Sequence, residues 1–134
     1  MIKWAGWLIV LYGAAHTLGA LTVEGAARHA GAWFTGELWE EDLSSMSPAN
    51  SAFWLSLDSF GPPLTLIGLL ILWLHGRDIV PPQFIAWTLG IWTIIDGVVL
   101  LFTPWPLLMF ASLLLLIGIR RASTAERLLR DRRL

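Results

Sequence analysis

Four long runs of apolar residues, parted by more polar stretches, organise this chain. They cover about 4–23, 51–74, 83–103 and 105–121. A helix that crosses a bilayer needs about 20 mostly apolar residues, and each run meets or approaches that length. Four such helices leave almost no polar surface for water. The pattern predicts an all-α fold, an integral membrane four-helix bundle forming one domain over 1–134. A long loop joins helices one and two, and a basic tail at 122–134 follows helix four.

The interruptions carry the next layer of information. Helix one holds Gly6, Gly13 and Gly19 with Ala14, Ala15 and Ala20, small faces that permit close helix approach. Helix two contains Gly61-Pro62-Pro63, which should kink or interrupt it. Carbonyls freed there need partners, so this stretch is expected to face protein or a cavity. Pro81-Pro82 ends the next loop, and Thr103-Pro104-Trp105-Pro106 reads as a tight turn into helix four. Pro106 suits a first-turn position, and the rest of that helix, Leu107–Ile119, reads as structural. The 24–50 connection is long enough to act as a lid. A short amphipathic helix is expected there through Trp33, Phe34, Leu38 and Trp39, followed by a turn over Ser44–Asn50.

Composition sharpens the membrane reading. Hydrophobic residues make up 56% of the chain and charged ones 14%, against a soluble norm of about 25% charged. The first run is too long for a signal-peptide core, and Tyr12 and His16 interrupt it. With no Cys, disulfides, thiolate nucleophiles and thiolate metal sites are excluded. Charge is near balance overall but polarised. Lys3, Arg77, Arg120, Arg121, Arg127, Arg130, Arg132 and Arg133 fall on one side of a four-span arrangement, and only Arg28 on the other. Both termini are therefore predicted cytoplasmic, with the tail along anionic headgroups. The far side carries Glu24, Glu37, Glu40, Glu41 and Asp42. No aromatic residue stands among the tail arginines, and no nucleic-acid partner is expected.

Three ionisable residues lie inside the apolar runs: His16, Asp58 and Asp96. A charged group at such a position costs about 2.5–3.5 kcal/mol on insertion scales. Counting from the predicted outer ends at 1.5 Å per residue, all three lie roughly 10 Å deep. Each has an aromatic residue four positions earlier, on the same helical face: Tyr12, Trp54 and Trp92. Thr17, Ser51, Thr65 and Thr93 add hydroxyls, and Glu24 stands at the rim. A carboxyl in a dry pocket is held neutral and can donate a proton, while a neighbour accepts one. Two carboxyls sharing a site separate into one acid and one base. Indole faces shelter cations.

This set predicts acid–base chemistry on a small lipophilic, isoprenoid-like substrate: isomerisation, cyclisation or epoxide opening. Asp58 and Asp96 are the expected acid/base pair, and His16 the second base or orienter. Tyr12, Trp54, Trp92, Glu24, Thr17 and Thr65 are the expected substrate-binding residues. No metal or other cofactor is expected, since the three groups come from separate helices without the paired spacing of bundle metal sites. The expected partners are a lipophilic substrate or lipid, the membrane, and further copies of the chain. Plainer roles compete. Trp4, Trp33, Trp39, Trp73, Trp87 and Trp105 fit an interfacial belt, His16 an interhelical bond, and Asp58 the donors freed at the proline break. A proton-coupled transporter or lipophile carrier is the alternative function, and an accessory subunit the third.

The run His16-Thr17-Leu18-Gly19, the run Ala52-Phe53-Trp54 before the Gly-Pro break, and Pro82-Gln83-Phe84-Ile85-Ala86-Trp87 resemble an uncharacterised bacterial family of four-span membrane proteins. That resemblance implies a bacterial inner-membrane location and carries no activity. In plan alone the site is similar to the sterol-isomerase and sigma-2-like membrane fold, from which no residue transfers. Small multidrug transporters share the size and span number, but keep a Glu deep in helix one where this chain has His16.

Overall fold

Proline and glycine set most of the boundaries observed in the computed structural model, which describes residues 1–131. Six α-helices follow in order: α1 Ile2–Thr22, α2 Ala30–Trp33, α3 Pro48–Ser56, α4 Gly61–Gly76, α5 Gln83–Val99 and α6 Trp105–Asp131. Two 3₁₀ turns accompany them, Ala26–His29 directly before α2 and Leu43–Ser45 between α2 and α3. No strand occurs among the described residues, so the fold is all-α. Three stretches are long and apolar enough to cross a membrane: Ile2–Thr22, Pro48–Gly76 and Trp105–Leu129. Apolar α5 is shorter, at 17 residues.

The Pro48–Gly76 stretch is not one helix. α3 ends at Ser56 and α4 begins at Gly61. The reason is local. Pro62 and Pro63 have no N–H to give the carbonyls of Asp58 and Ser59, four residues earlier, and the ring would clash there. In the first turn of α4 the missing N–H costs nothing. Two serines bridge the interruption. The buried Ser56 hydroxyl donates to the Ala52 carbonyl at 2.6 Å, and that of Ser59 to the Ser56 carbonyl at 2.8 Å.

The last helix is longer than expected. It continues past the apolar run to Asp131, so residues 122–131 of the basic tail are helical. Ala122 through Leu129 contains no Gly or Pro and several good helix formers, so nothing stops the helix at Arg121. Arg132 and Arg133, counted in the basic tail, lie outside the described residues. The loop helix is displaced as well. It ends at Trp33, and Gly36 takes a left-handed φ of 85°, which stops a helix through Leu38 and Trp39.

The residues form two compact units, one from Met1–Val10 and the chain from Leu66 onward, the other Leu11–Thr65. In the first, α5 and α6 pack along each other. Its core includes Ile2, Ile9, Ile71, Leu89, Leu115 and Ile119. The Ser112 hydroxyl reaches from α6 to the Ala86 carbonyl on α5, at 2.8 Å and buried. Interhelical bonds of this kind average about 0.6 kcal/mol in membranes. Ser112→Ala is expected to destabilise by about that much in a denaturant titration in mixed micelles. A loss above about 2 kcal/mol would contradict this, since the Ala86 carbonyl keeps its bond within α5. Arg77 lies over the Trp73 ring at 4.6 Å and Arg120 over Trp87 at 5.8 Å. Both pairs place a guanidinium over an indole ring.

The apolar exteriors fit a lipid solvent. Leu66 is 67% exposed, Val98 80% and Phe102 99%, values at odds with a chain meant for water.

In the second unit the loop is tied down by polar contacts. Trp33 Nε1 donates to the Ala49 carbonyl at 2.9 Å, fastening α2 to the start of α3. Ser47 caps α3 by accepting from the Asn50 N–H, and its own N–H donates to Glu41. The Ser47 hydroxyl, then its N–H and the Asn50 side chain, hold the Glu41 carboxyl below its ordinary value. The Ser44 N–H and hydroxyl do the same for Asp42. Depressed carboxyls favour the folded loop above their unfolded pKa, and that contribution disappears as pH falls through the folded value. Hydrogen exchange should therefore show the Ser44 and Ser47 amides losing protection below about pH 4. Protection unchanged down to about pH 2.5, after correction for intrinsic exchange, would contradict this.

Candidate functional site around His16

The second unit gathers four of the predicted site residues. α1 and the start of α4 meet there at two glycines. A Cβ on Gly13 would lie 2.6 Å from the Gly61 carbonyl oxygen and 2.7 Å from the Thr65 nitrogen. Backbones this close leave no room for a side chain on either glycine. Thr17 and Thr65 flank the crossing. Each hydroxyl donates to a carbonyl four residues back on its own helix, Thr17 to Gly13 at 3.3 Å and Thr65 to Gly61 at 2.9 Å. Each oxygen keeps lone pairs for a further partner.

His16 is half-buried next to this crossing. Its ring meets Phe60 at a centroid distance of 4.0 Å, tilted by 31°. Tyr12, one turn earlier, meets the same Phe60 ring at 6.3 Å. The four-residue spacing of Tyr12 and His16 thus puts both against one aromatic side chain. The Nε2 atom of His16 is buried and has no hydrogen-bond partner. Leaving such a group unsatisfied costs about 1–3 kcal/mol. Its setting is the Phe60 ring, with Tyr12 on the same ring, and the glycine-lined helix crossing beside Thr17. An imidazole there offers a ring nitrogen for a hydrogen bond beside an apolar ring.

The carboxylates are placed differently. Asp58 is exposed and lies in the interruption after α3, where its N–H donates to the Phe53 carbonyl at 3.0 Å. The expectation that Trp54 and Asp58 share a helical face does not hold, because the helix ends between them at Ser56. Trp54 is itself exposed. Asp96 belongs to the other unit, near the end of α5, one turn after the half-buried Trp92. Its Oδ2 accepts from the Thr103 hydroxyl at 3.1 Å, a bond that closes the turn between α5 and α6. Glu24 is exposed at the end of α1. Among the described residues no three His, Asp or Glu side chains are grouped to hold a metal ion.

Two residues next to the predicted site were not legible as parts of it. Phe60 reads as one more apolar residue, and its only signal is its place directly before Gly61-Pro62-Pro63. Thr103 reads as a turn residue, seven positions past Asp96. Set against known protein families, characterised proteins and solved structures, the chain finds no match.

Proposed function

We propose that this chain is a bacterial inner-membrane protein of four spans, both termini cytoplasmic, that performs acid–base chemistry on a small lipophilic molecule. The reaction classes that fit are isomerisation, cyclisation and epoxide opening of an isoprenoid-like compound. The single observation that carries this reading is the buried, unpartnered Nε2 of His16 in an aromatic setting. In a membrane-spanning helix such a group is expensive, and its cost is offset when a ligand supplies the missing partner. His16 acts as the base, and Tyr12, Phe60, Thr17 and Thr65 form the walls. Asp58, in the same unit as His16, is the carboxyl group through which protons reach and leave the reaction.

The test uses wild type, His16→Phe and Asp58→Asn purified in mild detergent, with bound small molecules identified by mass spectrometry. Wild type is expected to carry a defined lipophile. Each variant should fold, and carry either the unconverted compound or none. Profiles identical and empty in all three proteins would overturn the proposal.

One observation favours a second reading, a proton-coupled transporter. Asp58 is an exposed carboxylate at a helix interruption, and discontinuous helices mark substrate and ion sites in transporters. Uptake of the same lipophile into vesicles, driven by a proton gradient and absent in Asp58→Asn, would select it. Conversion in detergent without a gradient would select the enzyme.

A further inference from the structure

A second site lies elsewhere in the Leu11–Thr65 unit, where the 3₁₀ turn Ala26–His29 packs on α3. A cavity of about 230 Å³ opens between them. Glu24, Arg28 and His29 line one wall, and Ser51, Ala52 and Leu55 of α3 the other. Drug-sized pockets run about 300–1,000 Å³, so this one suits a small polar group rather than a whole lipid.

Arg28 is held in place before any ligand arrives. Its Nε donates to the Gly25 carbonyl at 2.9 Å and its Nη2 to the Glu24 carbonyl at 3.1 Å. These bonds fix the plane of the guanidinium and use two of its five N–H donors, leaving three. Gly25 makes the arrangement possible. It adopts a φ of 73°, and a Cβ there would lie 2.6 Å from Nη2. A guanidinium pinned by backbone carbonyls binds oxyanions with little loss of side-chain freedom. His29 and Ser51 also line the cavity and carry further groups that can bond an anion. Glu24 on the same wall disfavours a dianion and complements a neighbouring ammonium. Ala52 and Leu55 offer an apolar edge to whatever the anion is attached to.

The geometry points to this cavity as a binding site for a phosphodiester head group, anchored by Arg28 and completed by His29 and Ser51. The phosphodiester comes either from a membrane lipid such as a phosphatidylethanolamine or from a soluble compound. This inference does not rest on the role given to His16.

The test titrates the full chain in a phosphate-free detergent with glycerophosphoethanolamine and, separately, with dihexanoyl phosphatidylethanolamine, followed by phosphorus NMR. Arg28→Gln should weaken binding by about ten-fold or more, as loss of charge-assisted bonds requires. Because that change also removes the two carbonyl bonds, His29→Gln, which keeps them, is measured beside it and should weaken binding several-fold. His16→Phe should bind both probes as wild type does. Arg28-dependent binding of both probes assigns a soluble source, and of the lipid probe alone a membrane source. No binding of either probe, or affinities unchanged in Arg28→Gln and His29→Gln, would overturn the site.

Discussion

Gly13→Ala is expected to destabilise this protein by about 3 kcal/mol, the upper end of the range for overpacking a close contact. The atoms that the new methyl group meets explain the size. Two of them, the Gly61 oxygen and the Thr65 nitrogen, are backbone and cannot rotate away. The third, Thr65 Oγ1, is held at 2.9 Å to the Gly61 carbonyl. Relief requires α1 and α4 to separate where they cross. The crossing also fixes Thr17 and His16, since a Cβ on Gly61 would press on Thr17 Oγ1 and lie 3.2 Å from His16 Cδ2. Gly13→Ala should therefore lose bound lipophile as well as stability. Gly19→Ala is the matched control. No atom lies within 4 Å of its added methyl, and alanine's better helix propensity makes that variant neutral or more stable by up to about 1 kcal/mol. Thermal unfolding of both variants in the same detergent decides the matter. Equal midpoints would show that the glycine crossing is not what holds the unit together.

His16→Phe is expected to separate stability from function. The new ring keeps the contact with Phe60 and removes the buried nitrogen that has no partner. Replacing an unsatisfied polar group by an apolar one of similar shape recovers part of its desolvation cost, here about 1 kcal/mol. The unfolding midpoint should rise while bound lipophile and its conversion disappear. Gains in stability at the expense of activity are the usual result of relaxing a functional site. A His16→Phe protein that is several kcal/mol less stable, and still carries the lipophile, would make the imidazole a structural group and end the acid–base reading.

Local chemistry is what a sequence displays directly, and this chain shows where that stops. Gly61-Pro62-Pro63 announces an interruption of helix two, because a missing N–H and a ring clash act on residues four positions away. The Tyr12–His16 spacing announces a shared face for the same kind of reason. The basic stretch after Ile119 continues α6, because arginine is a good helix former and no breaker follows.

The helical class, the membrane-length apolar stretches, the proline break and the placing of His16 on an apolar helix follow from residue type and spacing, which govern hydrogen bonding within a few positions. Tertiary structure alone decided the rest. It chose Phe60 as the neighbour of His16, left Asp58 exposed, tied Asp96 to Thr103 and pinned Arg28 over Gly25. Helices that are apolar on every side carry no stripe to say which face turns inward. Here that choice was made by the small residues that let two backbones touch, and by which polar atoms then found partners.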